Sequence, residues 1–271
     1  MRNLLSQLAD GSGETLLAVD PNRLAADARD GAASPGAGIA VVGLLGSLTP
    51  RGLTFFGRTI APGMDAFRAS VNRAAADPGV GAIVLDVNSP GGTYAATPET
   101  AETVRKAAEI KPVIAVVDTL AASAAYYIAS QATEIAVTPS GEVGSIGVLS
   151  VHLDWSKALE MDGVKATIVR SRAGKADANP FEPLTDEALA AIQQSVMEAD
   201  DDFIKAVAKG RGMSAADVRK LADEAGLART VSAKRAVQLG MADRVATMAD
   251  VLSGLIKTKS MPRRRSALAF E

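Results

Sequence analysis

The chain has no cysteine and one histidine among its 271 residues. The first absence excludes disulfides and thiolate metal sites, and the second leaves carboxylates as the only plentiful ligands, so neither a metal nor another cofactor is expected. Charge of one sign is also lacking. A formal balance of −2 is not the basic footprint of a nucleic-acid-binding protein. No run approaches the roughly 20 apolar residues a membrane helix needs. The start does not read as a secretory signal, because Gln7, Asp10, Gly11, Gly13 and Glu14 interrupt it. These absences leave a protein expected in the cytoplasm, away from membrane and nucleic acid, with proteins, peptides or neutral ligands as partners. What is present, 48% hydrophobic and 22% charged residues, suffices for a substantial core.

Apolar runs bounded by glycine and proline alternate with helical periodicities. Residues 1–30 read as a helical arm, and Gly31-Ala32-Ala33-Ser34-Pro35-Gly36-Ala37-Gly38 as a linker. The run at 39–45 has the composition of a strand buried on both faces. Across 63–77, Met64, Phe67 and Val71 share one helical face, and Asp77-Pro78-Gly79 ends the helix. Strands are expected at 82–87, 113–117, 135–137, 143–151 and 166–169, with helices at 99–110 and around 155–161. This is the pattern of an α/β fold with a parallel sheet covered by helices. The last third is helical: Leu189, Ile192, Val196, Phe203 and Val207 share a face across 185–209, Ser214 caps a second helix, and two shorter ones start near Ser232 and Met248. The parts are an arm and linker at 1–38, a main domain at 39–251 and a tail at 252–271, in which Met261-Pro262-Arg263-Arg264-Arg265 is a basic, solvated end.

Two residues stand out chemically. Ser123 opens the helix-like stretch Ala121-Ala122-Ser123-Ala124-Ala125-Tyr126-Tyr127, and Lys175 follows 52 residues later in the polar loop Arg172-Ala173-Gly174-Lys175-Ala176-Asp177. A serine hydroxyl needs a base, and a lysine desolvated enough to be neutral can serve. The competing reading makes Ser123 a helix cap and Lys175 a solvated charge. Ahead of them, Asn88-Ser89-Pro90-Gly91-Gly92 offers backbone N–H groups that no side chain blocks, which is what an oxyanion hole requires. The N–H of Ala124 is a second donor beside the reacting centre, and Gly92 supports the turn. Lys175 must lie in an apolar pocket, with Asp177 and Glu182 turned away, to lose its proton. Ser145, in Val143-Gly144-Ser145-Ile146-Gly147-Val148, is a candidate to orient the amine, or marks only a tight strand. Other motifs fail: there is no Gly-x-Ser-x-Gly, no phosphate loop around Gly174-Lys175, and no dinucleotide fingerprint at Gly141, Gly144 and Gly147. His152, two residues before Asp154, suits packing or solvent better than catalysis.

In order along the chain, residues 82–92, the Ser123 segment, residues 143–148 and the Lys175 loop through Pro180-Phe181 resemble the signal peptide peptidase A family of Ser/Lys serine peptidases. The stretch 230–243 is similar to that family's C-terminal signature. The resemblance implies the ClpP/crotonase-like spiral of ββα units with a helical C-terminal region. It implies Ser123 as nucleophile, Lys175 as general base, and the N–H groups of Gly91 and Ala124 as the oxyanion hole. It also implies homo-oligomeric rings or domes in which neighbouring subunits supply serine and lysine. The N-terminal arm and the lack of a membrane anchor look more like the phage head-maturation proteases, which act on scaffold, portal or themselves inside the procapsid, with capsid proteins as partners. The alternatives are a cytoplasmic signal-peptide or general peptide peptidase, and an inactive scaffold-type structural protein. A crotonase-like acyl-CoA enzyme shares the fold, but the Ser/Lys pairing argues against it.

Overall fold

In the computed structural model, residues 38–55, 58–61, 63–224 and 226–260 are described. The expected helical arm and the basic tail at 261–265 lie outside them. Nine strands are described: β1 (Gly38–Leu48), β2 (Leu53–Phe55), β3 (Arg58–Ala61), β4 (Val80–Gly92), β5 (Val113–Ala122), β6 (Glu134–Val137), β7 (Glu142–Gly144), β8 (Thr230–Ser232) and β9 (Arg244–Val245). β1-β4-β5-β6-β9 form a continuous parallel path, while β2 and β3 pair separately as an antiparallel ribbon. Eight helices accompany them: α1 (Met64–Ala76), α2 (Thr97–Ile110), α3 (Ala124–Ala129), α4 (Ser156–Met161), α5 (Asp186–Arg211), α6 (Ala215–Asp223), α7 (Ala233–Gln238) and α8 (Met248–Ser260).

The central strands are apolar on both sides because both faces are covered. Ile83, Leu85, Val87, Val113, Ala115 and Val117 point into the main core with Phe67 and Val71 of α1 and Val104 of α2. On the opposite face Val84, Ile114, Val116 and Ala136 pack against Val251 of α8. The helix expected at 63–77 is α1, and it ends where Asp77 Oδ1 accepts the Gly79 N–H at 2.8 Å, an Asx turn. α5 and α6 begin at Thr185 and Ser214, whose hydroxyls accept the N–H groups of Ala188 and Asp217.

Three expectations need correction. Among the described strands β1 lies at the edge of the sheet, and Val41 and Leu45 are 40% and 43% exposed, so only alternate residues are buried. The strand expected at 143–151 stops at Gly144, because Gly144, Ser145 and Gly147 take φ of 132°, 53° and 150° and turn the backbone away. No strand forms at 166–169, where no described strand pairs alongside, and Val169 is 93% exposed. From Leu149 to Glu187 not one residue is buried, and this excursion extends into the first half of α5, where Leu189 and Met197 are also exposed.

The sheet bends along one line. The β1/β4 register slips between Leu45 and Ser47 at Gly46 (φ 68°), β4/β5 slips between Val87 and Ser89, and Thr119 in β5 holds φ 87°. Beyond that line β5 leaves β6 and pairs with β7, which pairs with the antiparallel β8. The carboxyl ends of β4 and β5 are thereby brought together, and the site forms there.

Candidate active site

Ser123 is the single residue between the end of β5 and the start of α3, with φ 52° and ψ −127°. Its N–H donates to Gly144 O at 2.9 Å and its carbonyl accepts the Tyr127 N–H at 2.9 Å, so both flanks of this strained turn are tied down. The hydroxyl does not cap the helix. That removes the capping role from the competing reading and leaves the side chain half-buried in the cleft. α3 has only six residues, all buried, which fixes it firmly but gives it a short dipole. Ala124 opens it, so its N–H has no acceptor within the helix.

Gly91 lies against the serine. A Cβ at this position, where φ is 97°, would stand 2.7 Å from Ser123 Cβ and 3.0 Å from Ala124 N, so only glycine fits. Its N–H donates to Ser89 Oγ at 3.1 Å, and the Ser89 hydroxyl in turn donates to Gly46 O at 2.6 Å. Gly92 is exposed and lines the cleft, and a Cβ there would overlap Leu48 O at 1.9 Å. Ser145 also lines the cleft, its N–H bound to Arg229 O at 2.8 Å.

The cleft has a volume of about 340 Å³ and is walled by Tyr94, Ala124, Tyr127, Ile146 and Phe203. Tyr127 and Phe203 pack with ring centroids 5.0 Å apart. Burial, followed by the charges of Asp202 and Glu99, pushes the Tyr127 phenol up to about 12. The sequence alone does not reveal the aromatic wall: Tyr127 reads as part of the Ser123 helix, Phe203 as a packing residue, and Tyr94, two residues after Gly92, belongs to no motif.

Lys175 is not in the cleft. It is exposed in the turn-rich loop after Ser171, and the requirement for an apolar surrounding is not met within one chain. Among the described residues no carboxylate is within ion-pair distance of its amine, and Glu182 is paired with Arg170. His152 is half-buried with Nε2 unpartnered among the described residues, while Asp154 accepts the Ser156 N–H at 2.8 Å. Among the described residues no group of three or more His, Cys, Asp or Glu could hold a metal ion, and no described helix is long and apolar enough to cross a membrane.

Comparison with known proteins follows the same lines. The profile of peptidase family S49 matches residues 105–261. The capsid assembly protease C of Escherichia phage lambda is 31% identical over 232 residues, covering 86% of this chain and 51% of the relative. The putative signal peptide peptidase SppA of Enterococcus faecium is 34% identical over 199 residues, 72% of this chain and 56% of that protein. The head-tail preconnector protein GP5 of Enterobacteria phage P21 is 33% identical over 219 residues, 80% and 42% respectively. The chain thus spans about half the length of these curated relatives. Among solved structures, a mutant of the 1510-N membrane-bound stomatin-specific protease superposes with a TM-score of 0.50 at 18% identity, over 79% of this chain and 83% of that one. That likeness shows a shared fold, an α/β arrangement around a parallel sheet of the ClpP/crotonase-like kind.

Proposed function

Since the chain belongs to peptidase family S49, a family of serine peptidases, we propose that it is an endopeptidase whose nucleophile is Ser123 and whose base, Lys175, comes from a neighbouring copy of the chain. The observation that carries this reading is the fit of Gly91 against Ser123. A serine held at φ 52° beside a backbone that excludes any side chain is the arrangement acyl transfer needs. Ser123 Oγ attacks the peptide carbonyl and passes its proton to the neutral amine. The carbonyl oxygen becomes an oxyanion facing the N–H groups of Ala124 and Gly91. The Gly91 donor leaves the neutral Ser89 hydroxyl for the charged oxygen, a stronger acceptor. The ammonium then protonates the leaving amine, and the same lysine activates water to release the ester.

A solvated lysine titrates near 10.4 and holds its proton at neutral pH, so the amine has to be withdrawn from water. The exposed excursion supports docking onto a second copy as the means. Leu149, Val151, Trp155, Met161 and Val169 are 55% to 93% exposed, an apolar set of the kind that marks a protein interface. Substrate lies extended along 147–153, where no residue gives or receives a backbone–backbone hydrogen bond among the described residues. A peptide there gains affinity from the main chain, as in strand addition.

The relatives from phages lambda and P21 support a place in capsid maturation, with scaffold, portal or capsid protein as substrate and the host cytoplasm or procapsid interior as location. Co-expression with neighbouring capsid and scaffold genes tests this. The parent is expected to trim one of them and Ser123→Ala to leave all of them intact. Equal processing by both contradicts the proposal.

A further inference from the structure

Two of the chain's three tyrosines, together with Phe203, wall the cleft beside Ser123. They are not equivalent. Tyr127 and Phe203 are 5% and 2% exposed and hold each other by ring contact, so that part of the wall cannot retreat. Tyr94 stands on the turn between β4 and α2 and is 37% exposed. Among the described residues a single polar tie positions its ring: the phenol donates to Asp202 Oδ2 at 2.8 Å, across to α5. Burial first, and then this hydrogen bond, raises the phenol above its ordinary value, so it remains a donor throughout the neutral range. The neighbouring Thr97 is 1% exposed and its hydroxyl is taken by Thr93 O at 2.8 Å, leaving it no donor for a ligand. A cleft of about 340 Å³ has to take the substrate backbone as well as a side chain. The ring that can move therefore decides how large that side chain is.

We propose that Tyr94, pinned by Asp202, is the specificity-determining wall of this cleft, restricting one substrate position flanking the scissile bond to small apolar residues such as alanine. The proposal rests on Ser123 being the nucleophile. Truncating the ring opens the end of the cleft to leucine and phenylalanine. Breaking the tie frees the ring to swing and widens the choice less.

The test profiles cleavage of a peptide library by the full-length oligomer of the parent, Tyr94→Ala, Tyr94→Phe and Asp202→Ala, reading both positions flanking the cut by mass spectrometry. One methylene in an apolar pocket is worth about 10-fold to 200-fold in discrimination. The kcat/KM ratio of leucine to alanine peptides is therefore expected to rise at least about 10-fold in Tyr94→Ala at one flanking position. Tyr94→Phe and Asp202→Ala shift it the same way by less. An unchanged ratio in Tyr94→Ala, when both it and the parent react with a serine-directed acylating probe at Ser123, overturns the proposal and leaves the nucleophile standing. A parent that neither cleaves nor reacts at Ser123 overturns both. If Tyr94→Ala does not fold, Asp202→Ala decides, because Asp202 is exposed and its loss removes the tie alone.

Discussion

Ser123 occupies a backbone region that costs an L-residue about 1–3 kcal/mol and that only glycine enters freely. The surrounding hydrogen bonds to Gly144 and from Tyr127 hold it there. Comparing Ser123→Gly with Ser123→Ala isolates this strain, since both lack the hydroxyl. The glycine variant is expected to be more stable by about 1 kcal/mol in urea unfolding. Equal midpoints would mean that no strain is stored. Gly91→Ala does the reverse: a Cβ 2.7 Å from Ser123 Cβ displaces the nucleophile or the oxyanion donor. Acylation by a serine-directed probe should slow by about 100-fold or more, the scale of losing one such donor. That Ser123, Gly91 and Ala124 lie together is legible in sequence, because each depends on local turn chemistry. The contact of Tyr94 with Asp202 is not, because 108 residues separate its two halves.

Among the elements, helices with a cap and a periodic face are legible in sequence, and so are the fully covered strands β4 and β5. Where sequence and structure differ, the cause is shared. Apolar runs at 39–45, 143–151 and 166–169 look like buried strands, yet burial depends on what lies alongside, and here a sheet edge, a sequence of positive φ angles and an uncovered excursion decide. One long-range tie between elements carries a prediction. Arg211, at the end of α5 with its side chain 8% exposed, makes two bonds to Asp243 at 2.8 and 3.1 Å, and Asp243 also accepts the Ile135 N–H at 2.7 Å. Burial alone would raise the Asp243 carboxyl, but the Arg211 and Ile135 hydrogen bonds and the Arg211 charge outweigh it and hold it below the ordinary aspartate value. Asp243→Ala should cost about 2 kcal/mol, between an exposed and a buried pair, because the arginine side chain is buried while the aspartate side is 40% exposed. A carboxyl lowered by folding stabilises above its unfolded value, and the gain disappears as pH falls through the folded one. The parent's lead over Asp243→Asn in urea midpoint should therefore be full at pH 7 and shrink below about pH 4. A constant lead would place the effect in packing.

At the scale of the whole molecule, a shared dyad requires assembly. A single copy presents a serine in its cleft and a lysine on an exposed loop, and the uncovered apolar residues 149–169 lie between them in sequence. Replacing Leu149 and Val169 by aspartate should lower the oligomeric mass seen by light scattering and abolish peptide cleavage together. Mass unchanged with full activity would show that the excursion is not the interface. Mixing has a sharper signature. Ser123→Ala and Lys175→Ala are each expected to be inactive, but if neighbours share the dyad, an equimolar mixture that exchanges subunits should regain about a quarter of the sites. No recovery, with exchange verified, would confine the dyad to one chain.

Everything proposed here depends on the Ser123 hydroxyl being a nucleophile activated by Lys175. The direct measurement is covalent labelling by a serine-directed acylating probe, located by peptide mass spectrometry in the parent, Ser123→Ala and Lys175→Ala. One modified residue, Ser123, is expected in the parent and none in either variant. A label on another residue, or one that persists at Ser123 when Lys175 is alanine, would contradict it.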